Sequence, residues 1–191
     1  MLSDKRAQSG PVLELELGFL NSLDDPLALS PELVQQVAVL LGRQPRGLEE
    51  IAVARADGQP MVIRVASLVD DKPFPTLYWL IDPDICYRID QAEAGGLIKA
   101  FQQRVDEGTE LQKAMREDHQ KHIQQRQTYM SVEIEQKLKT LNYGSVMATK
   151  GIGGIGDFSR IRCLHTWYGA HLVAANTIGT MLDQWWQLQD R

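Results

Sequence analysis

Runs of aliphatic and β-branched residues between positions 48 and 81 give way to helical spacing from Asp84 onward. Ser30-Pro31-Glu32-Leu33 predicts a helix start, with Ser30 as N-cap, Pro31 at the first helical position and Glu32 in the first turn. That helix should run to about Leu41 and stop at Gly42. Leu48 to Arg55 and Met61 to Val69 are rich in aliphatic and β-branched residues. Asp57-Gly58-Gln59-Pro60 separates them, which predicts a β-hairpin. A third strand, Thr76 to Ile81, is apolar on both faces and must be central or well covered. Leu13 to Leu20 fits either a short strand or a helix, and the polar residues before it read as a frayed tail.

From Asp84 onward Ile85, Ile89, Ala92, Leu97 and Phe101 share one helical face, and Gly95-Gly96 marks a break. Val105 to Leu141 reads as a single long charged helix whose apolar residues, among them Leu111, Met115, Ile123 and Met130, form only a narrow stripe. Such a stripe needs a partner: the sheet, the C-terminal helices or a second copy of the chain. His119 and His122, three residues apart on that helix beside Glu117 and Asp118, read as solvated. After Asn142-Tyr143-Gly144 comes a glycine-rich loop over 150–157, then helix-compatible sequence over about 163–189. Gly169-Ala170 and Ala174-Ala175 there allow close packing.

The 191 residues suffice for one core, and an apolar content of 43% excludes wholesale disorder. A net charge of −5 argues against a dedicated nucleic-acid binder. No apolar run reaches the length of about 20 residues that spans a bilayer, so membrane insertion is not expected. Glu14 and Glu16 interrupt any signal-peptide core, and two cysteines, Cys86 and Cys163, are too few for a disulfide scaffold. Both features suit a cytoplasmic protein.

Candidate chemistry concentrates in Gly151-Ile152-Gly153-Gly154-Ile155-Gly156-Asp157, the cations Lys150, Arg160 and Arg162, and Cys163-Leu164-His165 with His171. Gly151, Gly153 and Gly156 satisfy G-x-G-x-x-G, but the 35 residues after Gly156 leave no room for the βαβ unit of a dinucleotide site. No Gly-Lys-Ser or Gly-Lys-Thr follows either. What remains is an anion cradle of loop amides on Gly151, Gly153 and Gly154 flanked by Lys150, Arg160 and Arg162, against the alternative of a simple connector.

Cys163, His165 and His171 have the side chains of metal ligands. On one ideal helix Cys163 and His165 would point about 200° apart, and His171 would lie about 12 Å along the axis from Cys163. Convergence requires an extended 163–165 segment with a helix starting near Thr166. His165, His119, Cys163 and His171 are also the candidates for acid, base or nucleophile. Ser145, Thr149 and Ser159 lack a nucleophile-elbow context.

Gly58-Gln59-Pro60, Asp71-Lys72-Pro73-Phe74-Pro75-Thr76-Leu77-Tyr78-Trp79-Leu80, the glycine loop, Cys163-Leu164-His165 and Asn176-Thr177-Ile178-Gly179 together resemble a bacterial family of unknown function, domain of unknown function 501 (DUF501). The resemblance spans about Leu33 to Gly179 and carries no activity with it. It implies that relatives with cysteines at the positions of Arg55 and Asp82 hold a metal between the sheet and the C-terminal segment. Here Arg55 cannot ligate and is placed to neutralise Asp82. The resemblance therefore leaves two outcomes: a metal-free polar cluster, or a labile zinc or other divalent-metal site of Asp82, Cys163 and His165 or His171.

The reading is an α+β protein: a flexible tail over 1–12, and one domain over 13–191 with an antiparallel or mixed sheet of about three or four strands. A long charged helix over about 105–141 and C-terminal helices pack on that sheet. The expected function is a binding or regulatory module for an anionic small molecule or a protein partner, using the glycine loop and the Cys-Leu-His segment. The alternative is a hydrolase for a phosphate or acyl substrate using His165, Cys163 and His171, metal-assisted or not. A homo-oligomer through the long helix is a further expectation.

Overall fold

Ser30 accepts the Leu33 amide at 3.2 Å and opens α1, Pro31–Leu41, which closes at Gly42 in the left-handed conformation. Both ends match the sequence expectation because both signals are local. The computed structural model describes residues 29–190, so the expectations for the tail and for Leu13 to Leu20 lie outside the described residues.

The hairpin forms from β1, Leu48–Ala54, and β2, Pro60–Val65, paired antiparallel with Ile51 opposite Ile63. A small antiparallel pair, β3 (Leu68–Val69) with β4 (Lys72–Pro73), follows. β5, Tyr78–Leu80, then pairs antiparallel with β2, giving the order β1-β2-β5. β2 is the central strand, and its residues are buried on both faces. On one side Ile63 and Val65 pack with Val37 of α1, Ile81 and Trp79; on the other, Val62 and Tyr78 enter the helical core. The sheet is thus the middle of three layers.

The helical side contains α2 (Pro83–Ala94), α3 (Leu97–Glu107), α4 (Thr109–Thr128), α5 (Val132–Thr140), α6 (Gly144–Thr149), a 3-10 turn at Ile152–Gly154, α7 (Leu164–Val173) and α8 (Thr177–Gln189). Gly96, in the left-handed conformation, makes the expected break between α2 and α3. The architecture is α+β, as expected.

The charged helix expected over 105–141 is three pieces. Gly108 takes an extended conformation and ends α3, and Ser131 caps α5 by accepting the Ile134 amide at 3.3 Å. The long piece, α4, keeps its stripe against the chain's own core: Met115, His119, His122, Ile123 and Arg126 are buried. The four residues Met115, His119, His122 and Arg126 follow one helical face, so the two histidines expected in solvent face inward.

α7 lies across the sheet, where Gly169 brings its backbone against Leu80 so closely that an added Cβ would meet the Leu80 amide at 3.0 Å. Trp167, fully buried, fills the space beside it. The helix α7 is held at its other end by Asn176, which caps α8 and donates to the Trp167 carbonyl at 2.9 Å. Among the described residues no helix is long and apolar enough to cross a membrane.

Candidate functional site

The glycine loop is a packing device. The Ile152 amide donates to His119 Nδ1 at 3.0 Å, and a Cβ on Gly151 would overlap the same imidazole. Gly153 and Gly154 adopt left-handed conformations, with φ of 64° and 70°. The amides of Gly151, Gly154 and Ile155 donate to Ile155, Gly151 and Ile152 carbonyls respectively. With two of its three glycine amides, those of Gly151 and Gly154, engaged inside the loop, the expected anion cradle of Gly151, Gly153, Gly154 and Lys150 loses most of its backbone donors. Lys150 instead offers its carbonyl to Arg126.

His119 lies under that loop, stacked on Phe158 at 4.5 Å and edge-on to Trp167 at 4.8 Å. Burial lowers its pKa to about 4, so it is neutral and has no open face for acid–base work. His122 is lowered to about 3 by burial, with the Arg126 charge adding to the effect. Both are interior residues, which removes His119 from the catalytic candidates.

His171 also has a structural position. Its Nδ1 accepts the Asn176 amide at 3.0 Å, so Nε2 carries the proton and donates to Asp183 at 3.0 Å. Tyr168 donates to the other Asp183 oxygen at 2.8 Å, and Gly179 lies directly against the ring. This network locks α7 to α8.

Asp82 is fully buried and caps α2, accepting the Asp84 amide at 3.1 Å and the Ile85 amide at 3.0 Å. Arg55 closes on it with two hydrogen bonds, of 2.5 and 2.7 Å, and reaches Asp84 at 2.6 Å. The neutralisation of Asp82 by Arg55 is therefore observed. Among the described residues neither Asp82 nor His171 falls in a cluster of metal-capable side chains, so the four-residue pocket of Asp82, Cys163, His165 and His171 does not assemble.

Cys163 and His165 do meet, and a partner invisible to sequence reading joins them. Cys163 is extended (φ −154°, ψ 124°) at the N-cap of α7, and the helix begins at Leu164, two residues before the expected Thr166. One extended residue is enough: Cys163 Sγ lies 3.7 Å from His165 Nδ1. Glu93 of α2 accepts the Leu164 amide at 2.6 Å and places its Oε1 3.5 Å from the same Nδ1. On the other side of the ring Asp90 approaches Nε2 at 3.4 Å. The hydrogen bond with Cys163 raises the His165 pKa to about 9; burial opposes this, and the charges of Cys163, Glu93 and Asp90 reinforce it. Cys86 sits nearby, half-buried, its thiol pushed up to about 11 mainly by burial.

A groove of about 880 Å³ runs from Glu93 along α3. Gln102 forms its wall by bonding the chain opposite: its amide nitrogen donates to the Ser159 carbonyl and its oxygen accepts the Ile161 amide, each at 2.9 Å. This fixes the 159–162 segment against α3, and Arg160, Arg162 and Lys99 line the groove. Its acids are engaged locally: Asp106 with Gln102 and Arg160, Glu107 with Gln103, and Glu93 with the Leu164 amide. Among the described residues Arg162 and Lys99 have no ion-pair partner. Of the six positions expected to bind a ligand, the structure brings Arg160 and Arg162 to one groove and adds Lys99.

No curated protein and no solved structure matches the chain. A family model described as a protein of unknown function (DUF501) matches residues 51–184, which include most of the hairpin, Glu93, the groove and the Cys163–His165 pair. The chain belongs to the DUF501 family.

Proposed function

We propose that this protein is a binding module for a small anionic molecule held in the groove between α3 and the 159–162 segment. The observation that carries this reading is the presence of two cations without an ion-pair partner, Arg162 and Lys99, in a groove whose acids Asp106, Glu107 and Glu93 each hold a hydrogen-bond partner of their own. A groove of this volume is in the range of small-molecule sites. Arg162 supplies a planar fork suited to carboxylate or phosphate, and Lys99 a point charge. Arg160, tethered to Asp106 at 4.0 Å and Asp157 at 3.8 Å, adds positive potential at the rim. The free cysteines fit a reducing compartment, in support of a cytoplasmic setting.

Calorimetric titration with inorganic phosphate, pyrophosphate, citrate and a nucleoside monophosphate tests this. At least one should bind, and Arg162→Ala should weaken it about tenfold, equal to about 1.4 kcal/mol. If none binds, or Arg162→Ala and Lys99→Ala bind as the parent does, the reading is wrong.

A second reading, a hydrolase using Cys163 as nucleophile, has one specific observation behind it. His165 contacts the sulfur with Nδ1 and the Asp90 carboxylate with Nε2, the order of a nucleophile, base and orienting acid. Turnover of an activated acyl ester that disappears in Cys163→Ser would favour it over a pure binding role.

A further inference from the structure

We propose that Glu93, Cys163 and His165 form a binding site for a divalent metal ion of the zinc class, at the α2 end of the groove. The inference goes beyond the anion-binding reading and stands on different side chains.

The ligand atoms fall within 4.8 Å of one another, one sulfur, one nitrogen and one oxygen. Zinc bonds of about 2.3 Å to sulfur and about 2.0–2.2 Å to nitrogen and oxygen, at tetrahedral angles, put ligand atoms about 3.3–3.6 Å apart. The observed separations are 3.7 Å from Cys163 Sγ to His165 Nδ1 and 3.5 Å from Glu93 Oε1 to the same nitrogen. Both edges lie close to those an ion requires, so small side-chain adjustments would close the site.

The surroundings match a metal site as well as the ligands do. A ligating imidazole commonly offers its other nitrogen to a carboxylate that fixes the ring, and Asp90 stands 3.4 Å from His165 Nε2. A ligating carboxylate is itself held by a donor, and the Leu164 amide does this for Glu93 at 2.6 Å. That amide belongs to the positive end of α7, so the helix terminus is met by the carboxylate rather than directed at the ion. A thiolate, a carboxylate and a neutral imidazole carry two negative charges, which balance a divalent cation. The thiol proton, and any proton on His165, leave to solvent on binding. Three protein ligands leave a fourth position for water or for an anionic group from the groove that Glu93 also lines.

The site can be emptied without disturbing the fold. Serine is a good N-cap, so Cys163→Ser keeps the start of α7, and Glu93→Gln keeps an oxygen for the Leu164 amide. The experiment is titration of chelator-stripped full-length protein with zinc by calorimetry, and with cobalt by absorption. The expected result is about one equivalent bound, with a sulfur-to-cobalt charge-transfer band, and binding at least about tenfold weaker in Cys163→Ser and Glu93→Gln. Failure of the parent protein to bind, a cobalt spectrum without the sulfur band, or unchanged binding in Cys163→Ser would each overturn the proposal. Arg162→Ala should bind zinc like the parent, so loss of anion binding and loss of metal binding are read separately.

Discussion

Arg126 donates to the Lys150 carbonyl at 2.6 Å from a side chain with no solvent exposure. The same guanidinium donates to Met147 O at 2.5 Å and Pro75 O at 2.7 Å, so one cation ties α4, the end of α6 and the connector leading into β5. Burial lowers its pKa to about 10, which leaves it charged at neutral pH. Its partners are carbonyl dipoles, and two of them cluster at the C-terminal end of α6, where a cation is favoured.

Arg126→Met should therefore be among the most damaging single changes in the chain. It removes the donors of three carbonyls, each costing about 1–3 kcal/mol when left unpaired and buried, less what water can recover. We expect a loss of about 3 kcal/mol in urea denaturation. A loss under about 1 kcal/mol would mean that the three contacts contribute little net stability.

Acid should destabilise the protein through His119 and His122. Their folded pKa values, about 4 and about 3, lie below the unfolded value of about 6.5. The unfolded chain thus binds protons that the native state refuses. Their contribution to stability is complete above about pH 6.5 and falls as pH is lowered from there towards 4 and 3. Thermal melts between pH 7.5 and 5 should show this decline, and His122→Phe should flatten it. A parent melting temperature constant over that interval would contradict the neutral, buried assignment.

Gly151→Ala should act on the same layer from the other side. Its methyl would occupy the place of the His119 ring, forcing the loop off α4 at a cost of about 1–3 kcal/mol. Gly42→Ala is the control, because nothing lies within 4 Å of its added Cβ and only backbone strain enters. Chemical denaturation should rank Gly151→Ala as the more destabilising of the two.

The elements that could be read in advance were those whose signals are local. Ser30 with Pro31, the Asp57–Pro60 turn and Gly95-Gly96 each act within a few residues. Ser131 carried a similar signal for the start of α5, but the surrounding charges masked it under an apparently continuous helix. His119 and His122 were misplaced, and Arg126 drew no notice, because a polar residue on a helical face reads as solvated. Only the chain folded over them shows that His119 accepts the Ile152 amide and that Arg126 donates to three carbonyls. The site was half visible: Cys163, His165, Arg160 and Arg162 lie within five positions of one another along the chain, whereas Glu93 is 71 residues from the amide it holds. No local pattern marks such a partner.

Arg55 and Asp82 allow a sharper pH test because Asp82 has two separable tasks. Its carboxylate caps α2 through the Asp84 and Ile85 amides, and it pairs with Arg55, whose hydrogen bonds are the largest cause holding its pKa below the ordinary carboxylate value. A depressed folded pKa contributes stability that is present above the unfolded value, about 3.9, and disappears as pH falls through the folded one. Arg55→Ala should keep the cap but leave a buried carboxylate without its counter-ion, so the variant should be less stable than the parent at pH 7. The gap should narrow as pH falls, because Asp82 without its counter-ion takes up a proton in the variant before it does in the parent. Asp82→Asn retains an oxygen for the cap and carries no charge, so it should show no corresponding acid transition. Urea denaturation of the three proteins from pH 7 to pH 3 separates the tasks. A parent-to-Arg55→Ala gap that stays constant with pH would show that the pair contributes through packing of the arginine stem rather than through charge.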